Sequence, residues 1–164
     1  MKPELDEALV RDFPGLYARR GTDMRETAMC WGFECGDGWE PLIRRLSEKL
    51  EPIGAVASQV KEKYGGLRFY IEGIDQPTPF LLRLRRIGCH LLRRRWCGSL
   101  WCWDWWKPWT LWRICDYPEA WDWIALAEVE STKTCETCGA EGKLRTEGWY
   151  TTLCQTHFDE WRLR

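Results

Sequence analysis

Histidine is scarce in this chain, and several signatures of enzymes and membrane proteins are missing. His90 and His157 are the only imidazoles, which leaves little material for acid–base chemistry. There is no Ser nucleophile elbow, no Gly-rich phosphate loop and no metalloprotease helix. No apolar run reaches the roughly 18 residues that predict a membrane span, and residues 1–20 carry charges throughout, so no secretory signal is expected. These absences favour a non-enzymatic cytoplasmic protein.

Charge is nearly balanced overall, but it is distributed unevenly. The net charge is −1, and by itself it predicts no partner. Residues 80–113 contain eight basic side chains and one acidic one, which gives this block +7 and leaves −8 for the rest. The sequence therefore predicts a basic segment on an acidic body.

Cysteine and tryptophan are the residue types in excess. The chain has nine cysteines, an odd number, and a paired C-x-x-C, which together favour metal binding in a reducing compartment over a disulfide framework. It also has 13 tryptophans, and seven of these lie between residues 96 and 112. Residues 99–117 form a Trp-rich connector to which the sequence assigns no secondary structure.

Hydrophobic periodicity predicts a helix and hairpin in the first half of the chain. A short helix is expected over residues 3–12, and residues 15–36 are expected to be mostly loop. A second helix is predicted from Gly38 to about Glu51, with Asp37 as its cap. A β-hairpin follows, with Gly65-Gly66 as its turn. The predicted core consists of the apolar residues that recur at helical spacing in the second helix and the alternate apolar residues of the second hairpin strand: Trp39, Leu42, Ile43, Leu46, Leu50, Leu67, Phe69 and Ile71.

Two more helices are predicted further along the chain. One begins at Thr78-Pro79 and ends near Gly98, and it carries the arginines of the basic segment. The other runs from about Pro118 to Ser131, with Trp121, Ile124, Ala125 and Val129 facing inward. The predicted fold class is α+β, with three parts: a helix–hairpin body (1–79), a Trp/Arg-rich helical insertion (80–117), and a helix plus zinc-finger module (118–164).

The strongest motif is a set of four metal-binding side chains near the end of the chain. Cys135 and Cys138 are separated by two residues, and so are Cys154 and His157. Such pairs can direct both side chains at one ion, and zinc prefers four thiolate or imidazole ligands in a tetrahedron. The segment between the two pairs resembles a short β-hairpin, and a helix is expected to begin at the second pair. The order of knuckle, hairpin and helix predicts a treble-clef-like finger that holds one structural Zn²⁺ per chain.

The predicted zinc is structural because four protein ligands close its coordination shell. A catalytic zinc keeps an open position and needs a neighbouring acid or base. No Glu stands beside His157 in the way that the H-E-x-x-H motif places one. No catalytic residues are therefore assigned.

The basic, Trp-rich segment is the candidate partner-binding region, and its composition fits several uses. Arg and Trp are common in the centres of protein interfaces. Guanidinium groups and rings also bind nucleic acid, Trp is found at membrane surfaces, and the same rings could form a plain core. A protein interface is preferred, with nucleic acid as the alternative. The candidate residues are Arg93, Arg94, Arg95, Trp101, Trp105, Trp106 and Trp109.

The remaining cysteines and acids give weaker signals. Cys89, His90, Cys97 and Cys102 could form a second metal site, although Cys89 and His90 would point about 100° apart on a helix. Cys30 and Cys35 are interpreted as buried thiols. Acids near a predicted helix start, Glu34, Asp37 and Glu40, are interpreted as capping groups rather than catalytic ones.

Three stretches together resemble a group of small uncharacterised proteins encoded by phages and prophages. They are residues 30–39 (CWGFECGDGW), residues 59–70 (QVKEKYGGLRFY) and the finger from Cys135 to His157. The resemblance implies a phage origin and a bacterial cytoplasm, and it carries no activity. The function expected from origin and composition is that of an accessory protein that binds a host protein complex and inhibits or redirects it, for example as an anti-CRISPR inhibitor. A nucleic-acid-binding zinc-finger regulator is the alternative.

Overall fold

The computed structural model describes residues 1–73 and 118–163. Residues 1–73 and 119–163 belong to one compact unit. They contain helices and small mixed sheets, so the α+β class is confirmed at this level. The predicted insertion (80–117), with its helix and its Trp-rich connector, lies outside the described residues.

The first helix, α1, spans Pro3–Asp12, as the sequence predicts. Proline suits the first turn of a helix because its missing N–H would have no partner there. The following residues are mostly loop, with a short 3₁₀ helix at Ala28–Trp31. A two-residue strand, β1 (Phe33–Glu34), then joins the sheet, and no local pattern predicts it.

The main helix of the body, α2, spans Glu40–Leu50 and is flanked by 3₁₀ turns at Asp37–Trp39 and Glu51–Ile53. Its predicted core stripe is confirmed, because all five residues are buried: Trp39, Leu42, Ile43, Leu46 and Leu50. The prediction that Asp37 caps this helix is wrong. The Asp37 carboxylate instead accepts the Lys2 N–H at 2.7 Å and pairs with the Lys2 ammonium.

The sheet of the body has the order β1-β2-β3. Strands β2 (Val56–Lys63) and β3 (Gly66–Glu72) form the predicted antiparallel hairpin, and β1 pairs with β2 in parallel. Its turn is Tyr64-Gly65 rather than Gly65-Gly66, since both residues have positive φ (54° and 75°), as a two-residue type I′ turn requires. A bulge between Ala57 and Gln59 interrupts the simple alternation expected for β2.

Helix α3 spans Pro118–Ser131, as predicted, but its buried face differs from the expected one. Ile124 is buried as expected, together with Ala120, Ala127 and Ser131. Ala125 and Val129 are exposed, so their predicted inward placement is wrong, and Trp121 is only half-buried. The helix has apolar residues on more than one face, and periodicity alone therefore selects no single side.

The C-terminal module follows α3 directly. It consists of a turn around Cys135, a hairpin of β4 (Lys143–Arg145) and β5 (Thr151–Leu153), and helix α4 (Gln155–Arg162). We call residues 134–162 the finger. Its small core contains Cys135, Leu153 and Phe158. No helix within residues 1–73 and 118–163 has the length and apolar character needed to cross a bilayer.

Candidate metal centre

The structure brings together the four residues that the cysteine and histidine spacing selects. The Sγ atoms of Cys135, Cys138 and Cys154 and a ring nitrogen of His157 all lie within 4.8 Å of one another. Residues from both ends of the finger therefore converge on one point. In the part of the chain that the structure describes, this is the Cys/His/Asp/Glu group that could hold a metal ion.

The spacing of the ligand atoms is close to that of a tetrahedral site. The Sγ atoms of Cys138 and Cys154 are 3.9 Å apart, and the Nδ1 of His157 lies 3.6 Å from the Cys135 Sγ and 3.2 Å from the Cys154 Sγ. A tetrahedron with Zn–S bonds of about 2.3 Å and Zn–N bonds of about 2.0–2.1 Å has edges of about 3.6–3.8 Å. A disulfide would instead need sulfurs about 2.0 Å apart. The donor set therefore fits a tetrahedral metal ion.

Local backbone geometry explains why each ligand is where it is. The Gly139 N–H donates to the Cys135 carbonyl at 2.9 Å, which closes the turn between the first two cysteines. Gly139 has φ +76°, a conformation that residues with a side chain rarely adopt. Cys154 is the N-cap residue of α4, and His157 follows three residues later, on the same face of the helix.

The electrostatics of the cluster favour a bound cation. Burial raises the pKa of the Cys135 thiol, but the backbone N–H groups of Cys154, Cys138 and Thr137 outweigh burial and bring this pKa to about 6. The Ala140 N–H lowers the pKa of Cys138, yet burial and the neighbouring thiols Cys135 and Cys154 raise it above its ordinary value. Three thiols this close cannot all ionise without a compensating positive charge, and a divalent cation supplies it.

The turn around Cys135 packs closely against the body at two glycines. A methyl group on Gly38 would overlap the Cys135 carbonyl oxygen and would lie 2.7 Å from the Cys138 nitrogen. A methyl group on Gly36 would overlap the backbone of Glu136. Only residues without a Cβ let the two backbones approach this closely. The glycines between Cys35 and Trp39 therefore form the seat on which the metal-binding turn rests.

Hydrogen bonds also join the turn around Cys135 to the Gly36–Gly38 segment of the body. The Gly38 N–H donates to the Glu136 carbonyl at 2.8 Å, and the Gly36 N–H donates to the Glu136 side chain (Oε1) at 2.9 Å. The indole N–H of Trp39, whose ring is fully buried, donates to the Thr134 carbonyl at 2.8 Å. The residues next to Cys135 are thus tied to the segment that begins the main helix of the body.

A second contact joins the hairpin turn of the body to the finger. The Thr152 hydroxyl, which is fully buried, donates to the Gly65 carbonyl at 2.5 Å. A methyl group on Gly65 would overlap the Leu144 side chain. Nearby, the Leu67 N–H donates to the Ser131 hydroxyl at 2.8 Å, where α3 ends. The finger is therefore held from both sides, by the Gly36–Gly38 seat and by the hairpin turn.

Comparisons with known proteins add no relative. No family model matches the chain, and neither the curated proteins nor the solved structures contain a match. Its function has to be argued from its own residues.

The structure places some of the other candidate residues named in the sequence analysis, and the rest lie outside the residues that it describes. Cys35 is buried, and burial raises the pKa of its thiol to about 12; Cys30 is half-buried. Glu40 does not cap α2, which has no side-chain cap hydrogen bond; its carboxylate instead pairs with Arg44 at 2.7 Å, one turn further along the helix. The partner-binding candidates and the possible second metal site lie outside the described residues: Arg93, Arg94, Arg95, Trp101, Trp105, Trp106, Trp109, Cys89, His90, Cys97 and Cys102.

Sequence reasoning alone does not find the seat for the finger. It places Gly36 in a loop and Gly38 at the start of the second predicted helix, and it assigns Glu136 no role. A signal is present, since two glycines placed one residue apart before a buried Trp allow close backbone approach. The sequence cannot say which backbone approaches, because Gly36 and Glu136 are 100 residues apart.

Proposed function

We propose that Cys135, Cys138, Cys154 and His157 hold one structural Zn²⁺ in a treble-clef-like finger, and that the metal locks the finger to the body. The convergence of four ligand atoms within 4.8 Å carries this proposal. Three thiolates and one imidazole form a soft donor set that suits zinc and excludes hard cations such as Mg²⁺ or Ca²⁺. When bound, the ion supplies folding free energy rather than a reaction centre.

We further propose that the protein is a non-enzymatic binding protein. Four protein ligands would leave the metal no open position for a substrate. The basic segment of residues 80–117, rich in Arg and Trp, has the composition of a protein interface. The resemblance to small phage-encoded proteins suggests a host protein complex as the partner, with a defence complex as one example.

The test compares two variants of the full chain in affinity purification from the host cell, with and without nuclease. One variant replaces Trp105 and Trp106 with Ala, and the other replaces Arg93, Arg94 and Arg95 with Gln. Truncating a true interface anchor costs about 2 kcal/mol or more, roughly thirtyfold in affinity. We expect the Trp variant to lose its protein partner while remaining folded and zinc-bound, and the Arg variant to lose less.

Two results would contradict the binding proposal in its present form. In the first, the partner is recovered only without nuclease, and the chain binds DNA tightly unless Arg93, Arg94 and Arg95 are replaced. This result would favour the nucleic-acid-binding regulator. An insoluble or unfolded Trp variant would assign those rings to a core instead of an interface.

A further inference from the structure

An open groove on the finger has a lining suited to a positively charged side chain. Its volume is about 400 Å³, and it lies beside the metal ligand His157. Two indole rings, Trp149 and Trp161, and two carboxylates, Glu136 and Glu160, contribute to its lining. Among the residues that the structure describes, no Lys or Arg lines it. Apart from His157, none of its lining residues is one of the four proposed metal ligands.

Both indole rings are accessible. Trp149 is 75% exposed and Trp161 is 39% exposed, so neither ring is part of the finger core. Trp161 is nonetheless held in place: its ring stacks on buried Phe158, with centroids 6.0 Å apart and planes 14° apart. A methyl group on Gly148 would lie 3.4 Å from the Trp161 ring, so the turn that carries Trp149 passes close to that ring. The Trp161 ring is therefore positioned by Phe158 and remains partly accessible to a ligand.

Glu136 is positioned by the contacts that seat the finger, and Glu160 is positioned by helix α4. Glu136 is half-buried, and its backbone is fixed by the Gly38 N–H and by its own bond to the Thr152 carbonyl at 2.9 Å. Its side chain is held by the Gly36 N–H. Glu160 follows His157 by three residues on α4, so both lie on one face of that helix. Two acidic residues and two tryptophans thus line the same groove.

We infer that this groove binds a cationic side chain, lysine or arginine, presented by a partner polypeptide. Indole faces attract cations through their quadrupole, and carboxylates attract them through charge. An anionic ligand would be repelled by Glu136 and Glu160, and a neutral apolar one would gain only from buried area. The inference rests on the proposed binding function and adds to it a contact on the finger and the chemistry of the partner's side chain.

The test uses the full chain with its zinc content measured first, and follows the indole N–H signals of ¹⁵N-labelled tryptophan by NMR. The probes are acetylated, amidated Gly-X-Gly tripeptides in which X is Lys, Arg, trimethyl-lysine or the neutral isostere norleucine. We expect the three cationic peptides to shift the Trp149 and Trp161 signals at millimolar concentrations. We expect the norleucine peptide to bind at least about fivefold more weakly, and added salt to weaken only the cationic peptides.

Matched variants assign the response to the groove. Trp149→Ala and Glu160→Gln should each weaken binding of the lysine peptide by about 3- to 30-fold while retaining one zinc per chain. Trp31→Ala is the control, because Trp31 is 63% exposed but lies in the body, away from the groove. Trp161→Ala is avoided, since it would also remove the stacking on Phe158.

Several outcomes would overturn the inference. They are equal binding of norleucine and lysine peptides, an equal loss in Trp31→Ala, or no indole shift at about 20 mM peptide. A single-stranded oligonucleotide that shifts these indoles more strongly than any cationic peptide would assign the rings to base stacking instead. If zinc is present and the peptides fail, only this inference falls, whereas a chain without zinc would contradict the proposed function itself.

Discussion

Replacing Gly38 with Ala perturbs the contact between the finger and the body without replacing any of the four proposed metal ligands. The added methyl would overlap the Cys135 carbonyl oxygen and the Gly139 nitrogen, and would lie 2.7 Å from the Cys138 nitrogen. All three are backbone atoms of the metal-binding turn, so no flexible side chain can move aside. The only relief is for the turn to withdraw from its seat.

The expected cost follows from the contacts that would be lost. Overpacking a tight site costs about 1–3 kcal/mol. Withdrawal of the turn also breaks the bond from the Gly38 N–H to the Glu136 carbonyl, which contributes about 1 kcal/mol. The free energy of unfolding of Gly38→Ala should therefore fall by about 2–4 kcal/mol. Because the same turn carries Cys135 and Cys138, zinc affinity should fall with it, by at least about tenfold.

The assay is urea unfolding of the zinc-loaded chain, followed by circular dichroism, together with zinc competition against a chromophoric chelator. Gly66→Ala is the matched control, because a methyl there would meet the Thr132 side chain at 3.5 Å, an ordinary contact. The control should change the unfolding free energy by less than about 1 kcal/mol. A Gly38→Ala protein that unfolds and binds zinc like the control would refute the seat as a determinant of stability.

Four further outcomes are expected. Leu46→Ala and Phe69→Ala should each lower the unfolding free energy by about 2–5 kcal/mol, since both side chains are buried, and an unchanged urea midpoint would contradict the core assignment. Cys154→Ser should lose zinc and melt the finger while leaving most of the body helix signal, and a variant with wild-type zinc content would exclude Cys154 as a ligand. Cys35 should resist iodoacetamide at pH 8 while half-buried Cys30 reacts, as mass spectrometry of the digested protein can show. Burial raises the pKa of the Cys35 thiol from its ordinary 9.0 to about 12. The stability that the protonated thiol contributes is therefore full below pH 9 and is lost as pH rises toward 12. The free energy of unfolding of Cys35→Ala should fall less steeply than that of the wild type over this pH range.

Local pattern is sufficient for the elements whose residues interact with near neighbours in sequence. The stripe of α2 repeats at helical spacing, so its buried face follows from the order of apolar residues alone. The four candidate metal ligands are recognisable because each pair needs only one short turn to converge. The hairpin is predicted too, but its turn is displaced by one residue because Tyr64 adopts a positive φ that sequence alone disfavours.

Contacts between distant residues account for the features that local pattern does not predict. Strand β1 has two residues and exists only because β2 lies beside it. Asp37 has a capping residue's chemistry, but Lys2 supplies a nearer partner from elsewhere in the chain. The seat at Gly36 and Gly38 depends on a turn 100 residues away, which no local pattern encodes.

The proposed zinc site is tested most simply by the zinc content of the full chain, purified without added metal and measured by elemental analysis beside its Cys154→Ser variant. We expect one zinc per wild-type chain and none in the variant. A wild-type chain without zinc, or a variant that keeps the ion, would contradict the proposal that these four residues hold a structural metal.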